Sequence, residues 1–143
     1  MKSKILVFIQ FAMILVLLLP VGMPTSYPIL GSLFIIIGLS IGVAALKKNK
    51  LGNFNIRPDI KEDCTLIKDG VYAYIRHPMY TSVIVSMFGV MLVYYKPFYM
   101  YVYIILLVNM LVKMFYEESL WHCEGEEYKE YSQNTSRLIP KIF

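Results

Sequence analysis

Ile5–Leu46, ILVFIQFAMILVLLLPVGMPTSYPILGSLFIIIGLSIGVAAL, contains no Asp, Glu, Lys or Arg. A soluble chain of 143 residues has too little interior to bury such a run. A bilayer accommodates it. A helix needs about 20 apolar residues to cross the hydrocarbon core, and about 17 is the lower limit. Pro20, Gly22, Pro24 and Pro28 divide the run into two expected spans, 5–19 and 29–46. Working outward, 79–95 and 98–114 are two more apolar stretches, joined by a tight turn at Lys96-Pro97. The composition agrees: 57% hydrophobic and 17% charged, against roughly 25% charged in an average soluble domain. That balance excludes a disordered chain and argues against an ordinary soluble fold. The expected fold class is therefore all-α: an integral membrane helical bundle of about four transmembrane helices. It forms one domain over 1–143, with a polar loop at 47–78 and a polar tail at 115–143. Lys2 and Lys4 ahead of an apolar run imitate a secretory leader, but no small-residue cleavage site follows, and the segment reads as an uncleaved first helix.

Charge sets the orientation. Of the 14 Lys and Arg residues, all but Lys96 fall on one side of a four-span arrangement. By the positive-inside rule both termini and the long loop face the cytoplasm. The net charge of +4 then needs no nucleic acid to explain it, and no basic stripe with interleaved aromatics is present. Cys64 and Cys123 are isolated, without metal-ligand spacing. Two reduced thiols and no metal are expected.

Polar residues gather in two blocks, and both are larger than helix connections of about 2–8 residues require. The loop holds Thr65-Leu66-Ile67-Lys68-Asp69-Gly70-Val71-Tyr72-Ala73-Tyr74-Ile75-Arg76-His77-Pro78-Met79-Tyr80. Asp69-Gly70 signals a turn. Pro78 pushes His77 out of the α region and suits the first turn of a helix. The bland reading is a membrane-edge girdle of interfacial tyrosines with Arg76 snorkelling to head groups. It leaves the ordered run unexplained. The tail opens with Lys113-Met114-Phe115-Tyr116-Glu117-Glu118. Lys113 and Glu117 are spaced to share a helix face, where the bland reading is a surface ion pair of at most about a few tenths of a kcal/mol. Carboxylates at a bilayer boundary are costly, however, and default to functional candidates. Downstream, Glu126-Glu127-Tyr128-Lys129-Glu130-Tyr131 reads as an amphipathic helix lying back over the loop, ended by Arg137-Leu138-Ile139-Pro140.

Taken in order, Gly70-Val71-Tyr72, Arg76-His77-Pro78-Met79-Tyr80, Glu117-Glu118, Glu126-Glu127-Tyr128, Tyr131 and Arg137 to Pro140 resemble the isoprenylcysteine carboxyl methyltransferase family and its phospholipid methyltransferase relatives. The resemblance runs from about Asn53 to Pro140 and opens on Asn53-Phe54-Asn55-Ile56-Arg57-Pro58, similar to small bacterial members. It implies an integral membrane enzyme that uses S-adenosylmethionine, placed in the cytoplasmic membrane of a prokaryotic-type cell. By position it implies cofactor contacts from Cys64, Thr65, Leu66, Ile67, Tyr72, His77, Pro78, Met79, Tyr80 and Glu117, with Glu118 as the second member of the pair. Arg76 or His77 can hold the cofactor's carboxylate, Glu117 its hydroxyls or ammonium, and the tyrosines its adenine or sulfonium. Lys113 stands where the prenylcysteine enzymes place a substrate-contacting Arg. Two alignments of the tail are open. One pairs Tyr116-Glu117 with the family's carboxylates and the other pairs Glu117-Glu118; Glu117 serves in both.

The expected activity is methyl transfer to a lipid or other apolar small molecule, with no residue assigned as a general base. The alternatives are a small four-span transporter and a non-catalytic membrane protein of the same fold. A transporter would carry an ionisable residue inside its first two spans, and none is there.

Overall fold

The computed structural model describes residues 2–19, 27–49, 65–124 and 126–143. Cys64, the Asn53–Pro58 stretch, the Pro20–Pro24 break and the Cys123 side chain lie outside the described residues. The elements are α1 (Lys2–Leu18), α2 (Pro28–Lys48), α3 (Pro78–Val93), α4 (Pro97–Glu124) and α5 (Glu126–Asn134), with one short 3-10 turn at Gly70–Ala73. The described residues hold no strand, so the all-α expectation stands. α2 and α4 are long and apolar enough to cross a membrane. α1, with 17 residues, and α3, with 16, sit at or below the spanning limit.

Three of the expected spans coincide with α1, α2 and α3 to within three residues at either end. The fourth does not end at Met114. α4 continues to Glu124, 28 residues in all. Its extension from Phe115 holds no Pro or Gly to stop it, and the first helix-breaking residue is Gly125. Lys113, Glu117 and Glu118 consequently ride on one unbroken rod. The tail helix, by contrast, is shorter than expected: α5 ends at Asn134, ahead of Arg137.

α2 and α3 approach closely because small residues line their contact. Gly31, Gly38, Gly42 and Ala45 are the buried residues of α2. The three glycines face Ser82, Ser86 and Gly89 of α3. A Cβ on Gly38 would lie 2.3 Å from Ser86 Oγ and 2.6 Å from its backbone nitrogen. Close backbone approach through small residues is how helices associate where lipid offers no hydrophobic drive. Gly38→Val should therefore destabilise the protein by about 1–3 kcal/mol through forced separation of the two helices. Thermal unfolding in detergent checks this, and an unchanged midpoint would show that the helices do not meet there.

α1 lies along α4 and its polar groups point inward. Asn109 Nδ2 donates to the Leu6 carbonyl at 3.0 Å and Tyr99 OH to that of Leu19 at 2.9 Å. Between the helices Leu17, Val90, Met91, Val102, Leu106 and Met110 form an apolar core. Phe8, Ile29, Ile36 and Ile105 are more than half exposed on the outer faces. Glycines, serines and amides inside, with large apolar side chains outside, is the arrangement a lipid solvent favours.

Candidate functional site

The site begins at the Gly70 turn. Gly70 has φ +62, a region that a Cβ disfavours, and the Lys48 side chain occupies the space a Cβ would take. Lys48 Nζ reaches Asp69 at 2.6 Å, and this cation holds the exposed Asp69 carboxyl below its usual range. The 3-10 turn then presents Tyr72. His77, with φ −120 and ψ 56, is the last residue before α3, and Pro78 opens that helix, as the X-Pro dipeptide dictates.

Residues 75–77 pair with the tail as a short parallel bridge, Ile75 against Ser136. Arg76 N–H donates to Ser136 O at 2.8 Å, His77 N–H to Arg137 O at 3.1 Å, and Ser136 N–H to Tyr74 O at 3.2 Å. Thr81 Oγ1 adds a bond to Leu138 O at 3.0 Å. α5 clasps the same loop. Tyr131 OH donates to the Tyr72 carbonyl at 2.6 Å, and Tyr128 stacks on Trp121 of α4 with centroids 5.5 Å apart. Burial pushes the Tyr131 phenol up to about 12, with the nearby Arg76 charge opposing. Burial raises the Tyr128 phenol too.

The two adjacent carboxylates serve different neighbours. Glu118 is 4% exposed. Its Oε1 accepts from Arg76 Nε at 3.0 Å and contacts His77 Nε2 at 3.2 Å, while its Oε2 accepts from Arg137 Nε at 2.8 Å. Arg76 NH1 also donates to the carbonyls of Ser132, at 2.8 Å, and Thr135. Glu117 Oε2 accepts from Tyr80 OH at 2.6 Å. The Lys113 ammonium sits 5.3 Å from the Tyr80 ring centroid. Burial raises the Tyr72 phenol, a hydrogen bond with Asn49 opposes, and the charge of Glu117 adds to the rise.

The structure thus brings Tyr80, Glu117 and Lys113 to one side of α4, and Arg76, His77 and Glu118 to another, while Tyr72 sits half-buried in the 3-10 turn under Tyr131. Pro78 is fully buried and Met79 half-buried at the start of α3. Thr65, Leu66 and Ile67 form an irregular stretch ahead of the Gly70 turn, with both apolar side chains half-buried. Cys64 lies outside the described residues. Lys113 is not the surface partner of Glu117 that its spacing suggests. It is 4% exposed and donates to Gln10 Oε1 of α1 at 2.7 Å. Among the described residues no group of three His, Cys, Asp or Glu is placed to hold a metal.

The phospholipid methyltransferase family model matches residues 27–123. The chain belongs to this family. The family's chemistry is methyl transfer, and the match covers α2, α3 and almost all of α4, the helices that carry both carboxylates and the Arg76–Tyr80 phrase. α5 and the tail bridge lie beyond it. No curated protein matches the chain. Reading the sequence alone gives no role to two participants, Gln10 and Arg137. Gln10 left a signal, being the one polar residue inside the apolar run 5–19. Arg137 left a weaker one, a cation in the segment that ends the tail.

Proposed function

We propose that this chain is an S-adenosylmethionine-dependent methyltransferase acting on a lipid or other apolar small molecule at the membrane boundary. The observation that carries the reading is the convergence of Tyr80, Glu117 and Lys113, three residues from separate motif positions, on one spot. The donor set suits the cofactor. Glu117 keeps Oε1 free of partners among the described residues while Tyr80 fixes Oε2. One carboxylate oxygen is thereby oriented and available to accept from ribose hydroxyls or an ammonium. Tyr72 and Tyr80 offer aromatic faces, and half-buried Leu66 and Ile67 offer apolar wall. S-adenosylmethionine supplies, when bound, a methyl group activated on a sulfonium. The residues of the chain add position: a carboxylate held by a phenol, and an ammonium held by an amide over an aromatic ring. Methyl displacement gains most from such placement of the reacting partners.

This reading includes four spans, with α1 and α3 crossing beside α2 and α4, both termini in the cytoplasm of a prokaryotic-type cell, and the whole chain acting as one domain. The lopsided Lys and Arg distribution supports the orientation.

S-adenosylhomocysteine titrated calorimetrically into the detergent-purified protein tests it. Binding is expected, and Glu117→Ala should weaken it at least about tenfold, roughly 1.4 kcal/mol. Folded protein that takes up no S-adenosylhomocysteine would overturn the assignment. Full affinity in Glu117→Ala would make Glu117 a surface charge.

A further inference from the structure

Beside Glu118 an open cleft of about 410 Å³ is walled by Arg76, Arg137 and Lys141, with the hydroxyl residues Ser132, Thr135 and Ser136 among them. Neither Tyr72, Tyr80, Lys113 nor Glu117 lines it. Neighbouring side chains on a helix leave it about 100° apart, which separates the Glu117 side from the Glu118 side. All the cleft residues except Arg76 lie past residue 123, where the family match ends.

The charge of the cleft is unbalanced. Three cationic side chains line it and no acidic side chain does. Arg76 and Arg137 each give Nε to the one buried carboxylate of Glu118 behind the wall. The ammonium of Lys141 has no ion-pair partner among the described residues. Lys141 is also held in an unusual backbone state, φ +63, with its N–H donated to Ser136 Oγ at 2.8 Å. Such a conformation is uncommon for a residue with a Cβ. The turn that fixes it is closed by Leu138 and Ile139 N–H groups, which donate to Phe143 O at 2.7 and 2.9 Å.

One edge of the cleft is apolar. Ile142 and Phe143 line it, and Ile142 is 78% exposed. Phe143 packs edge-on to Phe115 of α4, and the Arg137 guanidinium carbon lies 5.4 and 5.5 Å from the two ring centroids. The cationic cleft therefore adjoins the exposed apolar surface of a helix long enough to span a bilayer.

We propose that this cleft seats the phosphate of an anionic phospholipid, a site separate from the methyl-transfer pocket. The guanidinium N–H groups of Arg137 beyond the Nε bonded to Glu118, the Ser136 hydroxyl, whose oxygen accepts from Lys141 N–H, and the Lys141 ammonium together suit a tetrahedral oxyanion. The apolar edge continuous with α4 selects a lipid over free phosphate. The inference rests on the membrane placement of α4 and is independent of methyl transfer.

The test titrates the full-length protein in detergent with dihexanoyl-phosphatidylglycerol and, separately, with inorganic phosphate. Saturable lipid binding is expected, with inorganic phosphate at least tenfold weaker. Lys141→Glu should weaken lipid binding at least tenfold and Lys141→Gln by a smaller factor, both at unchanged helicity by circular dichroism. Undiminished binding in Lys141→Glu would overturn the site. Phosphate binding as tightly as the lipid would overturn the lipid as occupant. A parallel fall in S-adenosylhomocysteine affinity in Lys141→Glu would assign the cleft to the cofactor and overturn its separateness. S-adenosylhomocysteine titrated into the unaltered protein reads the methyltransferase proposal on its own.

Discussion

Glu118→Ala should lower folding stability by about 3–5 kcal/mol, the range for removing one partner from a buried charge cluster. The side chains of Glu118, Arg76 and His77 are each 7% exposed or less, while that of Arg137 is 36% exposed. The Arg137 contact contributes less because water screens it. Arg76 dominates. Its guanidinium would keep the carbonyls of Ser132 and Thr135 but lose its only counter-ion among the described residues. The damage should be local, since Glu118 ties the segment before α3 to the tail after α5. Amide hydrogen exchange at Arg76, His77 and Ser136 is expected to accelerate by orders of magnitude, with α2 and α4 protected as before. Glu118→Gln keeps a hydrogen-bond acceptor without the charge and should fall between the two. Unchanged exchange at those three amides in Glu118→Ala would show that the bridge holds without the carboxylate. The adjacent Glu117→Ala supplies the contrast: cofactor affinity lost, exchange at the bridge retained.

That contrast marks what the sequence could and could not disclose. The helical character of α1 to α4 follows from apolar runs and prolines, and the positions of α1 to α3 and the start of α4 within a few residues needed nothing more. The Gly70 turn and the non-helical His77 were equally legible, because Asp-Gly and His-Pro act locally. What each carboxylate does was not legible. Glu117 and Glu118 are chemically identical and adjacent, and only the rotation of α4 against α3 and the return of the tail decide that one meets Tyr80 and the other meets two arginines. Arg137 shows the same limit, since its partner lies 19 residues back and is reached only after α5 reverses the chain. The end of the fourth helix was misplaced for a different reason. A change from apolar to polar residues after Met114 marks where a helix leaves an apolar environment, not where its backbone hydrogen bonding stops. The Gly38–Ser86 contact lay in plain view as small residues at helical spacing, but which two helices met could be settled only in three dimensions.

Lys113→Ala should reduce kcat/KM for the methylated substrate by about a hundredfold, about 2.7 kcal/mol of transition-state stabilisation, and leave S-adenosylhomocysteine affinity within about threefold. The ammonium is buried on α4, where a charge persists only if paired or functional. It is held by Gln10 Oε1 at 2.7 Å and by the face of Tyr80, whose hydroxyl is bonded to Glu117. Its own donors therefore lie one side chain away from the proposed cofactor carboxylate without being consumed by it, the place for a group that orients the acceptor. Misplacement of a reacting partner by about 1 Å is enough for a hundredfold loss. Gln10→Leu should act in the same direction and more weakly, about tenfold, because the ammonium stays but its hydrogen-bond acceptor is gone. Gln10→Glu restores an acceptor and should recover turnover. A labelled methyl donor supplied with a membrane lipid extract reads all three variants. If Lys113→Ala turns over normally, or loses cofactor affinity in proportion to turnover, the lysine belongs to the cofactor pocket or to packing, and the substrate must approach from elsewhere.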